Sequence, residues 1–324
     1  MKNIAASIVL GFALLTNSYA AEANSKTAEH LQAVSVTIRA EGDFSVGEGS
    51  GVIFTRKDAK GNLVNFVWTA GHVVDNLRKT RTRVVNGMPK TVVEFKDPMV
   101  VKEIRQNGRT VGRLQMDAEV LKYSDAKDGH DLALLRIRKH NFVKDTVTFH
   151  LDDKIPGLGA DLLHVGSLLG QMGANSMTDG IYSQHGRIIK SLNKFVFDQT
   201  TCTAFPGSSG GGVYLKGNAQ YVGMLVRGAG EGFNLIVPVR RMKDYCEEHK
   251  IMWALDPKVA MPKDEELLKL PIEHAPKSKD EEEDTEDEVK AKKMFPFMIR
   301  KIDLLNNRPF FLDKRPIINT MEKK

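Results

Sequence analysis

The chain has 324 residues, 41% of them hydrophobic, with 47 Lys and Arg against 41 Asp and Glu and only two cysteines. That length and apolar content suit one large globular domain or two modest ones, and two cysteines exclude a fold built on a disulfide framework. The formal charge of +6 is unevenly spread and no basic motif with interleaved aromatics accompanies it, so nucleic acid is not an expected partner.

The first twenty residues carry one basic residue, Lys2, then a mostly apolar run from Ile4 to Leu15, then small residues at Ser18 and Ala20. This pattern predicts a signal peptide cleaved after Ala20, and hence export to a periplasm or the outside. The apolar run is too short for a permanent membrane anchor. Cys202 and Cys246 could pair in such a compartment, but the sequence does not set them side by side.

From about Leu31 to Asp256 short β-type runs follow one another, among them "AVSVTIRA", "SGVIFT", "NLVNFVWT", "TVVEF", "DLALLRI", "KFVFDQT", "GGVYL", "YVGMLV" and "FNLIVPV". They are rich in Val, Ile, Phe and Thr and are broken by Gly, Asn and Asp, as in antiparallel sheet. Many short strands with few helices predict an all-β barrel or sandwich. One helix stands out in "VRRMKDYCEEHKIMWAL", where Met242, Tyr245, Cys246 and His249 recur at helical spacing. Past Pro257 the composition changes. Residues 257–324 are expected to be an extension, with a solvated acidic linker at 279–288 that holds eight acids in the nine residues 280–288. Apolar clusters among basic residues beyond it suit docking on the domain, a partner or an anionic surface.

Three stretches carry candidate chemistry: "VWTAGHVV" with His72, "GHDLALLRI" with Asp131, and "FPGSSGGG" with Ser208 and Ser209. A serine hydroxyl needs an imidazole as general base, and that imidazole needs a buried carboxylate to fix its tautomer and compensate its charge. Each motif alone also fits a structural histidine, a strand-initiating turn or a flexible loop. His130, His150, His164 and His185 lack metal-ligand spacing, and "GAGEG" at 228–232 lacks the Lys of a phosphate-binding loop, so neither metal nor organic cofactor is expected.

In the order His, Asp, Ser, these segments resemble the trypsin-like (chymotrypsin-fold) serine proteases, most nearly the bacterial HtrA-type branch. "WTAGHVV" is similar to that family's Thr-Ala-Ala-His segment, "HDLALLRI" to its Asp-Ile-Ala-Leu strand and "GSSGG" to its Gly-x-Ser-Gly-Gly, while "TDGIYSQHGRI" is similar to an HtrA-type Thr-x-Gly-Ile-x-Ser segment. The resemblance covers roughly residues 30–256. It implies two antiparallel six-stranded β-barrels with a C-terminal helix, and a serine endopeptidase acting on polypeptides through His72, Asp131 and Ser209. The rival is a catalytically silent peptide-binding module on the same fold.

The resemblance also decides between the two serines. The family's oxyanion donors are the N–H of the nucleophile and of the residue two before it. For Ser209 that residue is Gly207, whereas for Ser208 it is Pro206, which has no N–H. A neutral Ser208 stands where many zymogens carry an Asp that captures a freed N-terminus, which implies that activation of that kind is absent. By spacing, the base of the specificity pocket falls near Thr203 and its walls at Val226, Arg227, Gly228 and Gly232, so an uncharged residue at the cleaved position is expected. The extension is shorter than the PDZ module usual in the HtrA type.

Overall fold

The computed structural model describes residues 25–273, except for 86, 128, 190–194 and 229. The expected signal peptide 1–20, the acidic run 279–288 and the basic segment after it lie outside the described residues. Fourteen strands are present: β1 (Ser35–Glu41), β2 (Val46–Lys57), β3 (Leu63–Thr69), β4 (Arg78–Val85), β5 (Met88–Phe95), β6 (Met99–Gln106), β7 (Arg109–Ser124), β8 (Leu132–Ile137), β9 (Asp161–Gly166), β10 (Ser176–Ile188), β11 (Val196–Thr200), β12 (Gly212–Leu215), β13 (Tyr221–Gly228) and β14 (Asn234–Pro238).

Twelve of them close into two six-stranded antiparallel barrels, ordered β1-β2-β3-β8-β7-β6 and β9-β10-β11-β14-β13-β12, while β4 and β5 form a separate hairpin. With each barrel's strands lettered a to f in chain order, both run a-b-c-f-e-d. The same topology therefore occurs twice although the sequence shows no repeat, and closure leaves neither barrel an open edge. In the first barrel Phe54 and Phe66 stack with ring centres 5.2 Å apart, and Trp253 meets Phe66 edge-on at 4.9 Å.

Trp253 lies just beyond the helix α1 (Val239–Glu248), which follows the last strand of the second barrel. The chain thus returns to seal the first barrel, where Trp68 Nε1 donates to the Ala254 carbonyl at 3.1 Å and Arg56 Nε to that of Trp253 at 2.9 Å. The helical spacing read from the sequence matches burial: Met242, Tyr245 and Cys246 are all inside. Cys202 and Cys246 are both buried as free thiols, so the possible disulfide is not formed.

The boundary expected at 257 lies too early. Leu267 is buried in the core, the Tyr123 N–H donates to the Ile272 carbonyl at 2.8 Å, and Lys122 Nζ donates to the Pro271 carbonyl at 2.7 Å. Arg78 holds Glu273 at 2.6 Å, and Arg136 holds Asp264 at 2.9 Å. Prolines and charges in this stretch read as linker, but its backbone carbonyls, Leu267 and the half-buried Met261, Leu270 and Ile272 pack on the core. Truncation after Asp256 should therefore cost at least about 5 kcal/mol, from these apolar side chains and two partners left unpaired. Its melting temperature should fall by roughly 10 °C or more, whereas truncation after His274 should leave it within a few degrees of the full chain. Melting of the two truncated proteins checks this, and equal stability would restore the boundary at 257.

Candidate functional site

Three loops meet where the barrels face each other. β3 is followed by a single helical turn, Gly71–Val74, that carries His72. Gly71 has no room for a side chain, because a Cβ there would overlap the Ser124 carbonyl beside the loop that leads to Asp131. Asp131 precedes β8, has a left-handed backbone (φ 55°), which Asp tolerates better than most residues, and is 1% exposed.

The Asp131 carboxylate receives His72 twice. The His72 main-chain N–H donates to Oδ1 at 3.0 Å, and ring Nδ1 lies 2.9 Å from Oδ1 and 3.0 Å from Oδ2. A carboxylate in this position fixes the proton on Nδ1 and leaves Nε2 as a base. Burial alone would push the Asp131 carboxyl up, but the charge and hydrogen bonds of His72, aided by Arg227, outweigh it and hold the group below its ordinary value. The neighbouring His130 is not a second base. Burial, then Arg241 and His249, push it down to about 3, and its ring packs between Phe195 and Tyr245.

Ser209 comes from the long turn between β11 and β12. Its hydroxyl donates to the Val226 carbonyl at 3.4 Å, and among the described residues no hydrogen bond joins it to His72. A change of χ1 is enough to re-aim a serine hydroxyl, and catalytic hydrogen bonds are often loose before substrate arrives. Gly207 has φ +95°, and a Cβ there would overlap the Ser167 carbonyl, so only glycine fits. Among the described residues neither the Gly207 nor the Ser209 N–H is used by an internal acceptor.

The carbonyls of the same loop are all engaged. Pro206 O accepts from the Leu169 N–H at 2.7 Å, Gly207 O from Ser50 Oγ at 2.6 Å, and Ser209 O from the Ser50 N–H at 2.7 Å. With its carbonyls tied back, the turn leaves its two N–H groups unengaged. The buried Ser208 hydroxyl accepts from the Phe205 N–H at 3.1 Å, so neutral hydrogen bonds order this loop and no ion pair is needed. The sequence reading missed Ser50, because "EGSGV" shows only a serine among glycines.

The pocket residues are less tightly gathered. Val226 is buried on β13, and its carbonyl is the acceptor for Ser209. Thr203 is exposed, with its carbonyl bonded to Thr178 Oγ1 at 2.8 Å, so it does not form an enclosed base. Gly228 is exposed at the end of β13, and Gly232 has φ +72°. Arg227, expected on a wall of the pocket, turns its guanidinium to the Ala126 carbonyl at 3.1 Å and to Asp131 Oδ2 at 3.8 Å. A cavity of about 260 Å³ lined by His150, Tyr182, Arg240 and Lys243 includes none of His72, Asp131 and Ser209. Among the described residues no His, Cys, Asp and Glu side chains cluster so as to hold a metal ion.

Residues 49–224 match the family described as the trypsin-like peptidase domain, and this span contains all three motifs. The chain belongs to that family. This trypsin-like domain is 30% identical over 179 residues to the serine protease Do-like HtrA of Lactobacillus helveticus, covering 55% of this chain and 35% of that protein. The chain thus spans about a third of that relative's length. Among solved structures it is similar to an HtrA-type protease with a tripeptide, at 18% identity and a TM-score of 0.50, covering 72% of this chain and 64% of the other. It is also similar to Deg5, at 19% identity and a TM-score of 0.50, covering 72% and 97%. At that identity the two structures show a shared fold.

Proposed function

We propose that the chain is an exported serine endopeptidase that cleaves polypeptides through an acyl-enzyme intermediate. The observation that carries this reading is the buried Asp131 carboxylate on His72 Nδ1, 2.9 and 3.0 Å away. Ser209 Oγ attacks the scissile carbonyl while His72 Nε2 takes its proton and later passes it to the leaving amine. Asp131 keeps the imidazole oriented and compensates its charge. The N–H groups of Gly207 and Ser209 receive the oxyanion, each such donor being worth about 3 kcal/mol of transition-state stabilisation. The export reading rests on residues 1–20; among the described residues no helix is long and apolar enough to cross a membrane.

No acid stands among Thr203, Val226, Gly228 and Gly232, so the residue at the cleaved position should be small or medium and uncharged. The second reading, a silent peptide-binding module, draws on the Ser209 hydroxyl being bonded to Val226 rather than to His72. A fluorophosphonate probe separates the two, because it labels only an activated serine. Stoichiometric labelling of Ser209, with higher kcat/KM for peptides bearing Val or Ala than Arg at the cleaved position, is the expected result. Absent labelling in a folded protein would leave the binding module, and a clear Arg preference would show the pocket to be built from other residues.

A further inference from the structure

The buried carboxylate has more cationic company than a triad requires. Asp131 meets His72 from the turn after β3 and Arg227 from β13, with Nη2 of Arg227 3.8 Å from Oδ2. Arg241 of α1 stands behind it, donating from Nη2 to the carbonyl of the adjacent His130 at 2.7 Å and packing its guanidinium over Phe195 and Phe197 at 4.6 Å each. Burial pulls Arg241 down to about 10; Asp131 opposes that fall and Arg227 adds to it, so the three groups interact. Asp125 is a further charged residue nearby, and its carbonyl accepts from the Asp131 N–H at 3.0 Å.

Arg227 reaches this place because β13 is irregular. Its pairing with β14 shifts register between Leu225 and Arg227, so the two-residue alternation is broken next to Val226. The side chain is 23% exposed, and the Ala126 carbonyl ties it to the loop that leads into Asp131.

We propose that Arg227 is a positioning residue of the triad, whose fixed positive charge holds the Asp131 carboxylate in place from β13 and opposes protonation of His72. This rests on the reading of the site as a serine peptidase. A cation near the imidazole raises the cost of the imidazolium. Arg227 also couples the two barrels electrostatically: it belongs to the second, and the residues it acts on belong to the first.

The test compares Arg227→Gln, Arg227→Met and Arg227→Lys. Gln and Met both remove the charge, Gln alone keeps a donor for the Ala126 carbonyl, and Lys keeps the charge. With an uncharged peptide, the acid limb of kcat/KM should move up by about one pH unit in the Gln and Met variants, from the Coulomb interaction at an effective dielectric near 20, and stay in place in the Lys variant. KM should change by less than about twofold, since Arg227 faces Asp131 rather than substrate. The ring NMR signals of His72, followed against pH in the same proteins, should shift with the limb, and they report the charge effect whether or not the protein turns over peptide. An unmoved His72 titration in the Gln and Met variants overturns the proposal, as does a rise in KM with the acid limb unchanged. A moved titration in a protein that fluorophosphonate does not label would keep the Arg227–Asp131–His72 coupling and reject the peptidase reading instead.

Discussion

Replacing Ser209 by Ala should lower kcat by about 10⁶-fold, whereas Ser208→Ala should change it by less than about tenfold. The two hydroxyls are adjacent in sequence but sit in different surroundings. Ser208 is fully buried and its oxygen is occupied by the Phe205 N–H at 3.1 Å, so it cannot reach a substrate. Ser209 is partly exposed, and its hydroxyl has only a long bond of 3.4 Å to the Val226 carbonyl to give up. Among the described residues its own N–H and that of Gly207 have no acceptor, while every carbonyl from Pro206 to Ser209 has a donor. Ser208→Ala removes one acceptor and leaves the Phe205 N–H unpaired, a stability cost of about 1–3 kcal/mol that does not touch the chemistry. Peptide turnover and melting of both variants check the assignment. Equal loss of turnover in two folded proteins would mean that the loop as a whole, and not one hydroxyl, is being measured.

The parts of this site that were legible in the sequence are those whose chemistry is local. With the oxyanion geometry that the family resemblance implies, "GSSGGG" points to Ser209 because Pro206 cannot donate, and "GHD" and "AGH" each place a polar residue at a strand end. Ser50 shows the opposite case. It lies 157 residues from Gly207, and its role exists only once β2 crosses the nucleophile turn and both its N–H and its hydroxyl find carbonyls there. Arg227 is a different case. The resemblance sets it on a pocket wall by its distance from Ser209, but such a distance carries no information on the register shift beside Val226 or on the guanidinium's approach to Asp131.

Strands followed the same division. Those lining the barrels are visible as Val, Ile and Phe runs, because strands such as β3, β8 and β14 bury successive side chains on both faces. The first half of β7 is exposed on both faces and carries Arg109, Arg113 and Gln115, so it has no apolar alternation to detect. It is a strand because its pairing with β6 satisfies the backbone. The stretch 257–273 was assigned to the extension on composition, yet two of its carbonyls complete the hydrogen bonding of Lys122 and Tyr123. Backbone groups carry no compositional signal.

Asp131→Asn should lower kcat/KM by roughly 10⁴-fold while the protein stays folded at neutral pH. The geometry explains why the amide fails although it is nearly the same shape. Oδ1 accepts the main-chain N–H of His72 at 3.0 Å, a donor that cannot change its role. An asparagine must therefore turn its carbonyl oxygen to that N–H and its NH₂ toward ring Nδ1. Facing a donor, Nδ1 becomes an acceptor and the imidazole proton moves to Nε2, the nitrogen that should take the proton of Ser209. The imidazolium formed in the reaction also loses its counter-charge, while Arg227 and Arg241 remain. Stability gives an independent reading. The folded carboxyl is held below its ordinary value, so its contribution is fully present above about pH 4 and fades as pH falls through the depressed value. The Asn variant lacks that contribution: it should melt somewhat lower at pH 7, and its melting temperature should fall less steeply on acidification. Measuring kcat/KM at pH 7 and melting from pH 7 to pH 3 tests both parts. Near-native turnover would show that another carboxylate orients His72, and parallel melting curves would show that Asp131 is not held charged by its neighbours.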